Sequence, residues 1–458
     1  MKKKLSRLLA LALAAALTLS GCSSGTTEEA ESSAEAPSSA AQEEQESQDE
    51  AIEDLVIARL STAEMQTFNI LYSQTMEDFA NLCNMVDSLM EIDNYSRIVP
   101  CIAESYTTNE DKSVWTFLIR DGVKWVDVNG NEKADCTSQD FATAMEWILN
   151  FHKNESSQTS DFLIMLEGAN EYYEYTKTLS EEEAFALTAE EGSVFKEMVG
   201  VETPDANTLI YRCIGSRPYW DSLSTCLWPM SQAMVDELGG PAGVKAMNNE
   251  NMWYNGCYTM TSYVQGNEKI FTKNPLYWDQ DCELFNTVTV KMVESNDTMY
   301  QLYQSGEIDT VTLTESNLKT IYDDPENPYH DYLVENPATG TYQIHFNYDK
   351  HLEDGTPDVN WNTAIANEAF RLSWYYGLDL TEYWKRTNSI NPLSCENEFY
   401  SMTGLAYTSD GTDYTELVRQ ELGLPEIDGQ TVARLDADKA KQYKQQAIEE
   451  LTALGVTF

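Results

Sequence analysis

Three oxygen-bearing side chains at alternate positions, Asp127, Asn129 and Asn131, come nearest in this 458-residue chain to the spacing of a metal site. Calcium loops begin in this way, because alternate carboxylate and amide oxygens can be directed at one ion. However, Glu132 stands where such a loop needs glycine, and Ser138 stands where it needs a bidentate glutamate. We therefore predict a hairpin turn here and not a calcium site.

Other residue patterns in the sequence do not support metal binding or catalysis either. The four histidines have neither HExxH nor any compact ligand spacing: His152, His330, His345 and His351. No Walker loop occurs, and GxSxG occurs only at residues 21–25, in the lipobox segment. SxxK occurs at residues 193–196 and 316–319, but neither the SDN nor the KTG motif that accompanies it in penicillin-binding enzymes is present. We expect no catalytic residues, no bound metal and no cofactor.

The N-terminus carries a clearer chemical signal. A basic stretch and an apolar run from Leu8 to Leu19 precede the sequence Leu19-Ser20-Gly21-Cys22, which resembles the lipobox of bacterial lipoproteins. An apolar core of about a dozen residues is too short for a stable membrane-spanning helix. We predict that residues 1–22 form a lipoprotein signal and that Cys22 carries a lipid anchor outside the cytoplasm. An ordinary secretory signal with a chance cysteine is the alternative.

Residues 23–53 are almost entirely Ser, Thr, Ala, Glu, Gln and Pro, with no aromatic residue. Such a segment cannot bury enough apolar surface to offset the entropy lost on folding. We predict a disordered acidic linker that holds a folded body away from the membrane surface.

The charge of the whole chain excludes one class of partner. Its formal net charge of −47 and the lack of a basic cluster argue against binding to nucleic acid. Eight cysteines besides Cys22 allow disulfides but show no CxxC spacing, so buried thiols remain equally open: Cys83, Cys101, Cys136, Cys213, Cys226, Cys257, Cys282 and Cys395.

Strand and helix patterns alternate along the body and favour an α/β fold. Residues 55–58 predict a buried strand, and residues 115–119 and 123–126 predict the two strands of a hairpin. Thr137 and Asp140 form a capping box at the start of a helix with one apolar face. A second helix is predicted from Asp436 to a glycine at position 455.

Several short motifs occur in a fixed order along the body: Trp115-Thr116-Phe117, Arg120-Asp121-Gly122-Val123-Lys124-Trp125, Asp140-Phe141, Asn255-Gly256-Cys257-Tyr258, Lys273-Asn274-Pro275-Leu276-Tyr277-Trp278 and Ser305-Gly306-Glu307-Ile308-Asp309. In this order the chain resembles the extracellular solute-binding proteins of family 5, the oligopeptide- and dipeptide-binding lipoproteins of ABC transporters. The resemblance implies a two-lobed periplasmic-binding-protein-like fold of the cluster C type. We expect a first lobe at 54–292, with a subdomain at about 95–199, and a second lobe at 293–458.

The resemblance also implies a function. Such a protein captures short peptides by hinge closure and delivers them to the permease and ATPase subunits of an importer, and it acts as a monomer. When the chain is aligned with the family, the resemblance implies ligand contacts at Ser73, Gln74, Thr143, Asn255, Gly256, Cys257 and Tyr258. We also expect Gly256 to have a positive φ, which would leave backbone groups of its turn open to an extended ligand.

The chain departs from the family in one important respect. Family members usually continue beyond the position of Phe458 with further strands and an acidic residue that pairs with the peptide amino terminus. We therefore expect an incomplete second lobe, and the acidic partner is unassigned. Binding of an oligosaccharide or a chelated metal by the same fold is one alternative, and a lipid-anchored hydrolase or a surface adhesion or sensor module is another.

Overall fold

The computed structural model describes residues 54–93, 97–334, 341, 343–397, 399–408, 411–424 and 434–457. Cys22 and the predicted linker at 23–53 lie outside the described residues. The chain divides into two compact units, of which unit 1 ends at Thr312 and unit 2 begins at Leu313. The boundary predicted from the sequence, between residues 292 and 293, lies earlier in the chain.

Unit 1 contains two four-stranded sheets and two small antiparallel ribbons. The first sheet has the order β1-β12-β11-β10, in which only the β1–β12 pair is parallel. The second is antiparallel, with the order β4-β5-β9-β8. The twelve strands described are β1 (Asp54–Leu60), β2 (Met90–Ile92), β3 (Ile98–Pro100), β4 (Ala103–Thr108), β5 (Val114–Ile119), β6 (Lys124–Val126), β7 (Glu132–Asp135), β8 (Val201–Asp205), β9 (Thr208–Arg212), β10 (Tyr258–Val264), β11 (Glu268–Lys273) and β12 (Thr287–Val293).

The buried strand predicted at 55–58 is confirmed as the middle of β1, where it pairs with β12. In β12, Val288, Val290 and Met292 are buried while their neighbours are partly exposed, as expected for a strand with one face against the core. The prediction of a hairpin from residues 115–119 and 123–126 is wrong. Both segments are strands, but β5 pairs with β4 and β9, whereas β6 pairs with β7.

The turn between β6 and β7 contains the three residues that resemble the start of a calcium loop. One carboxylate oxygen of Asp127 accepts hydrogen bonds from the backbone N–H groups of Asn129 and Asn131, at 2.8 and 3.0 Å. This is the hairpin turn that the sequence predicts.

Helices connect several of the strands of unit 1. Those described are α1 (Met76–Leu82), α2 (Ser138–Leu149), α3 (Thr159–Met165), α4 (Ala169–Lys177), α5 (Glu181–Phe185), α6 (Val194–Met198), α7 (Trp220–Leu223), α8 (Gln232–Leu238), α9 (Pro241–Lys245) and α10 (Asn296–Ser305). Helix α2 begins at the predicted capping box, where the Asp140 carboxylate accepts the Thr137 N–H at 2.7 Å. Its residues are buried nearly all round, so it lies inside the unit.

Large aromatic side chains fill the core of unit 1. The indoles of Trp115, Trp125, Trp147 and Trp220 are each less than 2% exposed. Rings in contact include Tyr106 and Trp115, whose centroids lie 5.2 Å apart. The eight described cysteines form no disulfide.

Unit 2 is helical over the residues described, which contain no strand beyond isolated bridges. Its helices are α11 (Glu315–Tyr322), α12 (Val359–Ala366), α13 (Glu368–Gly377), α14 (Thr381–Trp384), α15 (Tyr414–Leu422) and α16 (Ala437–Ala453). Helices α13 and α16 share one buried cluster, to which α13 contributes Ala369 and α16 contributes Ala447 and Leu451. The predicted caps of α16 are confirmed, with Asp436 at its start and Gly455 at φ +82° after its end.

Candidate functional site

The turn at residues 255–258 enters β10 and is buried within unit 1. Three of its backbone N–H groups already have acceptors in the protein: Asn255 and Gly256 both donate to the Met85 carbonyl, at 3.1 and 3.0 Å, and Tyr258 donates to the Asn84 carbonyl at 2.9 Å. The expected open backbone groups are therefore occupied by the preceding chain segment.

The expectation of a positive φ at Gly256 is wrong, since this residue is not among the glycines with φ in that range. Glycine is required for a different reason. A Cβ placed on Gly256 would lie 2.7 Å from the Asn84 carbonyl oxygen and 2.7 Å from the Met85 carbonyl carbon. The residue allows two backbone segments to approach each other closely.

Asp87 connects this turn to a second sequence motif, the one at residues 273–278. Its backbone N–H donates to the Asn255 side-chain oxygen at 3.0 Å, and its carboxylate accepts the indole N–H of Trp278 at 2.7 Å. Burial raises the pKa of the Asp87 carboxyl to about 6, although donors from Trp278, Tyr277 and Cys101 oppose the rise. The carboxyl is thus held in place by several donors but is desolvated.

Asn274 completes the contacts between the two motifs. Its side-chain amide donates to the Gly256 carbonyl at 2.9 Å, and its backbone N–H donates to the Cys257 carbonyl at 2.9 Å. We call Asp87, Asn255, Gly256, Asn274 and Trp278 the turn cluster. It shows that motifs separated in the sequence meet in space as one buried polar arrangement.

The remaining predicted ligand residues lie outside the turn cluster. Ser73 and Gln74 follow a 3₁₀ turn at Ile70–Tyr72; Ser73 is buried, whereas Gln74 is exposed and donates to the Glu155 carbonyl at 3.4 Å. Thr143 is buried within α2. Of the seven residues predicted to contact ligand, Gln74 alone has an exposed side chain in unit 1. Ligand contact at all seven stays a prediction.

A polar network next to Ser73 was missed by sequence reasoning. The Tyr72 hydroxyl donates to the Lys153 carbonyl at 2.7 Å and accepts the indole N–H of Trp147. The Lys153 ammonium forms a buried ion pair with Glu146 at 2.8 Å, and Glu146 also accepts the Tyr172 hydroxyl at 2.8 Å. Burial raises the pKa of Tyr72 well above its usual value.

This network explains how the turn before Gln74 is held. Tyr72 immediately precedes Ser73 and Gln74, so its fixed ring determines where the chain emerges from the core at Gln74. The seven-residue spacing of Glu146 and Lys153 is a weak sequence signal, because Lys153 lies beyond the end of α2. The pairing therefore depends on the return of the chain after the helix.

The described residues offer no group of three or more His, Cys, Asp or Glu side chains close enough to hold a metal ion. In the same part of the chain, no helix has the length and apolar character needed to cross a membrane.

Comparison with known proteins places these observations in a family. The model of bacterial extracellular solute-binding proteins, family 5 Middle, matches residues 97–454. Among curated proteins, the chain is 24% identical over 435 residues to the oligopeptide-binding protein AliB of Streptococcus pneumoniae, covering 87% of this chain and 62% of AliB. It is 26% identical to AliA of the same species, covering 99% of this chain and 66% of AliA.

The chain thus spans a little under two thirds of the length of the first of these relatives. Among solved structures, it matches the substrate-binding domain of an oligopeptide ABC transporter from Bacillus anthracis, with a TM-score of 0.57, 22% identity and coverage of 87% of this chain and 67% of that one. It also matches peptide-bound OppA of Listeria monocytogenes, with a TM-score of 0.58, 17% identity and coverage of 89% and 70%. The predicted periplasmic-binding-protein type of α/β fold is confirmed by these matches.

Proposed function

Because the chain belongs to the bacterial extracellular solute-binding proteins of family 5, we propose that it captures short peptides outside the cell and delivers them to the permease of an ABC importer. The family match over residues 97–454 is the observation that carries this proposal. Curated relatives that are named oligopeptide-binding proteins support the choice of peptide as the solute. The family is one of binding proteins, so the protein is a receptor and not an enzyme.

The proposed mechanism requires only non-covalent steps. Closure of two lobes about a hinge stabilises a ligand-bound form, and the importer recognises that form. A peptide suits such a protein because its backbone N–H and C=O groups can pair with protein groups whatever its side chains are. Ordered water in the side-chain pockets then allows many sequences to bind.

Within unit 1, we propose Gln74 as a direct ligand contact. Its side chain is exposed and its amide forms only a long hydrogen bond, 3.4 Å, to the Glu155 carbonyl, so a ligand carbonyl can replace that partner at small cost. The adjacent Tyr72 network holds the backbone at this point. The turn cluster serves as the support on which β10 begins, since its polar groups bond within the protein.

The proposal includes a cellular location. The family acts outside the cytoplasm, and we propose that Cys22 anchors the chain there by a lipid, with residues 23–53 as a flexible spacer. The high negative charge keeps such a protein soluble and, we propose, monomeric.

Measurements of peptide binding test both the proposed function and the proposed contact at Gln74. Peptides of two to six residues should bind the purified chain, and Gln74→Ala should weaken binding about five- to ten-fold, as expected for the loss of one hydrogen bond of about 1 kcal/mol. Gln265→Ala, at another exposed glutamine of unit 1, is the matched control and should not alter affinity. Equal affinity in both variants would remove Gln74 from the site, whereas failure of the unaltered chain to bind any peptide would overturn the function.

A further inference from the structure

Lys196 lies on the short helix α6 and is partly buried. It ends the sequence Ser193-Val194-Phe195-Lys196, an SxxK motif to which peptide binding assigns no role. The Ser193 hydroxyl oxygen accepts the backbone N–H of Lys196 at 3.3 Å and so caps α6, whereas the Lys196 side chain reaches strand β8. The serine therefore serves the helix, and the chemistry of this motif rests with the lysine amine.

The Lys196 ammonium has a single hydrogen-bond acceptor in the described part of the chain. It donates to the Thr203 hydroxyl oxygen at 2.5 Å, and that hydroxyl donates in turn to the Gln139 side-chain oxygen at 3.0 Å. A charged lysine has three N–H donors. One neutral partner leaves the other two donors to solvent, at a position that is only partly open to solvent.

No carboxylate compensates the charge at this position. Among the residues that the structure describes, no ion pair includes Lys196, and Glu202 pairs with Arg212 instead. Burial lowers the pKa of the Lys196 ammonium from 10.5 to about 8, although the charges of Glu191 and Glu202 oppose the fall. At pH 7 about one molecule in ten then carries the amine uncharged, against fewer than about one in a thousand for an ordinary lysine.

We infer that Lys196 is a site of covalent acylation, with acyl phosphates and thioesters as its class of acyl donor. The uncharged nitrogen attacks the acyl carbon, and the N–C bond forms as the C–O or C–S bond breaks. Phosphate or thiolate leaves with the electron pair, and the proton released from the nitrogen goes to water. The inference does not depend on peptide binding.

The amide product fits the site better than the ammonium does. An amide nitrogen carries one N–H, which matches the single acceptor at Thr203. Acylation also removes a charge that this position separates from solvent without offering a carboxylate partner. Because Lys196 is only partly buried, the acyl group can extend into solvent.

Acetylation of the full folded chain by limiting acetyl phosphate, followed by mass spectrometry of its peptides, tests this inference. Lys112 is the matched control, because it is exposed and lies outside every ion pair of the described residues. At pH 7, Lys196 should be acetylated about ten-fold faster than Lys112, because its larger uncharged fraction outweighs the lower nucleophilicity of a weaker base. A rate at Lys196 equal to or below that at Lys112 would overturn the inference.

The pH profile provides a second measurement on the unaltered chain. The rate at Lys196 should level off above about pH 9, where most of an amine with a pKa of about 8 is uncharged, whereas the rate at Lys112 should continue to rise. Equally steep increases at the two lysines between pH 9 and pH 10 would contradict the proposal.

Two substitutions of Thr203 separate the charge state of the amine from its accessibility. In Thr203→Asp a carboxylate can pair with Lys196 and favour the ammonium, so acetylation at pH 7 should fall to about the rate at Lys112. Thr203→Val has a similar volume and adds no charge, so it should not slow the reaction. An unchanged rate in Thr203→Asp, or an equal loss in both variants, would contradict the inference. If either variant fails to fold, the pH profile of the unaltered chain decides.

Discussion

Replacing Asp87 with asparagine should change how the stability of unit 1 depends on pH. Asp87 is 7% exposed, and burial raises its pKa from an ordinary value of 3.8 to about 6. The folded state therefore binds a proton more tightly than the unfolded chain does. The stabilisation of the folded state that this proton binding at Asp87 provides is complete below pH 3.8 and is lost as the pH rises through about 6.

The size of the effect follows from the same two values. The difference between 3.8 and about 6 corresponds to about 3 kcal/mol of free energy of unfolding. Asparagine has no such titration, yet its side-chain oxygen can still accept the indole N–H of Trp278. The stability of Asp87→Asn relative to the unaltered chain should thus rise by up to about 3 kcal/mol between pH 4 and pH 7.

Urea denaturation at a series of pH values measures this difference. Tryptophan fluorescence reports mainly on unit 1, where most of the tryptophans lie. Asp281→Asn, at an exposed position, is the control for removing one negative charge. Asp140 is also buried with a raised pKa, but its contribution cancels when the two chains are compared. A pH-independent difference, or one of opposite sign, would refute the reasoning.

Three further substitutions test other parts of the account. Gly256→Ala should lower the free energy of unfolding by about 1–3 kcal/mol, because its Cβ would meet backbone at 2.7 Å; an unchanged urea midpoint would contradict the close approach. Lys153→Met should cost about 3–5 kcal/mol by leaving Glu146 charged and buried, and adding Glu146→Gln should recover part of the loss. Cys22→Ala should release the protein from the membrane fraction or leave it unprocessed, whereas unchanged lipid labelling would disprove the anchor.

Local elements were predictable where the signal lies within one segment. The capping box of α2, the caps of α16 and the buried strand β1 each depend on neighbouring residues, and all three are observed. The predicted pairing of β5 with β6 is wrong because the partners of a strand are determined by the tertiary fold and not by the neighbouring sequence. A short Asp-Gly connection predicts a hairpin, but β5 pairs instead with β4 and with β9, which lies far along the chain.

The candidate site was harder to predict for the same reason. The Asn-Gly sequence at 255 and 256 is typical of a turn with positive φ, but Gly256 is required by the backbone at residues 84 and 85. Asp87 gave no sequence signal at all, since its partners Asn255 and Trp278 are distant in the chain. Burial of a polar residue depends on what the fold places around it, which periodicity within one element does not contain.

The most direct test of the account is titration calorimetry of the chain with peptides of two to six residues, alongside cello-oligosaccharides and nickel. We predict heat of binding from the peptides, because their backbone N–H and C=O groups can pair with protein groups whatever their side chains are. Heat from an oligosaccharide or from nickel, with none from any peptide, would contradict the account.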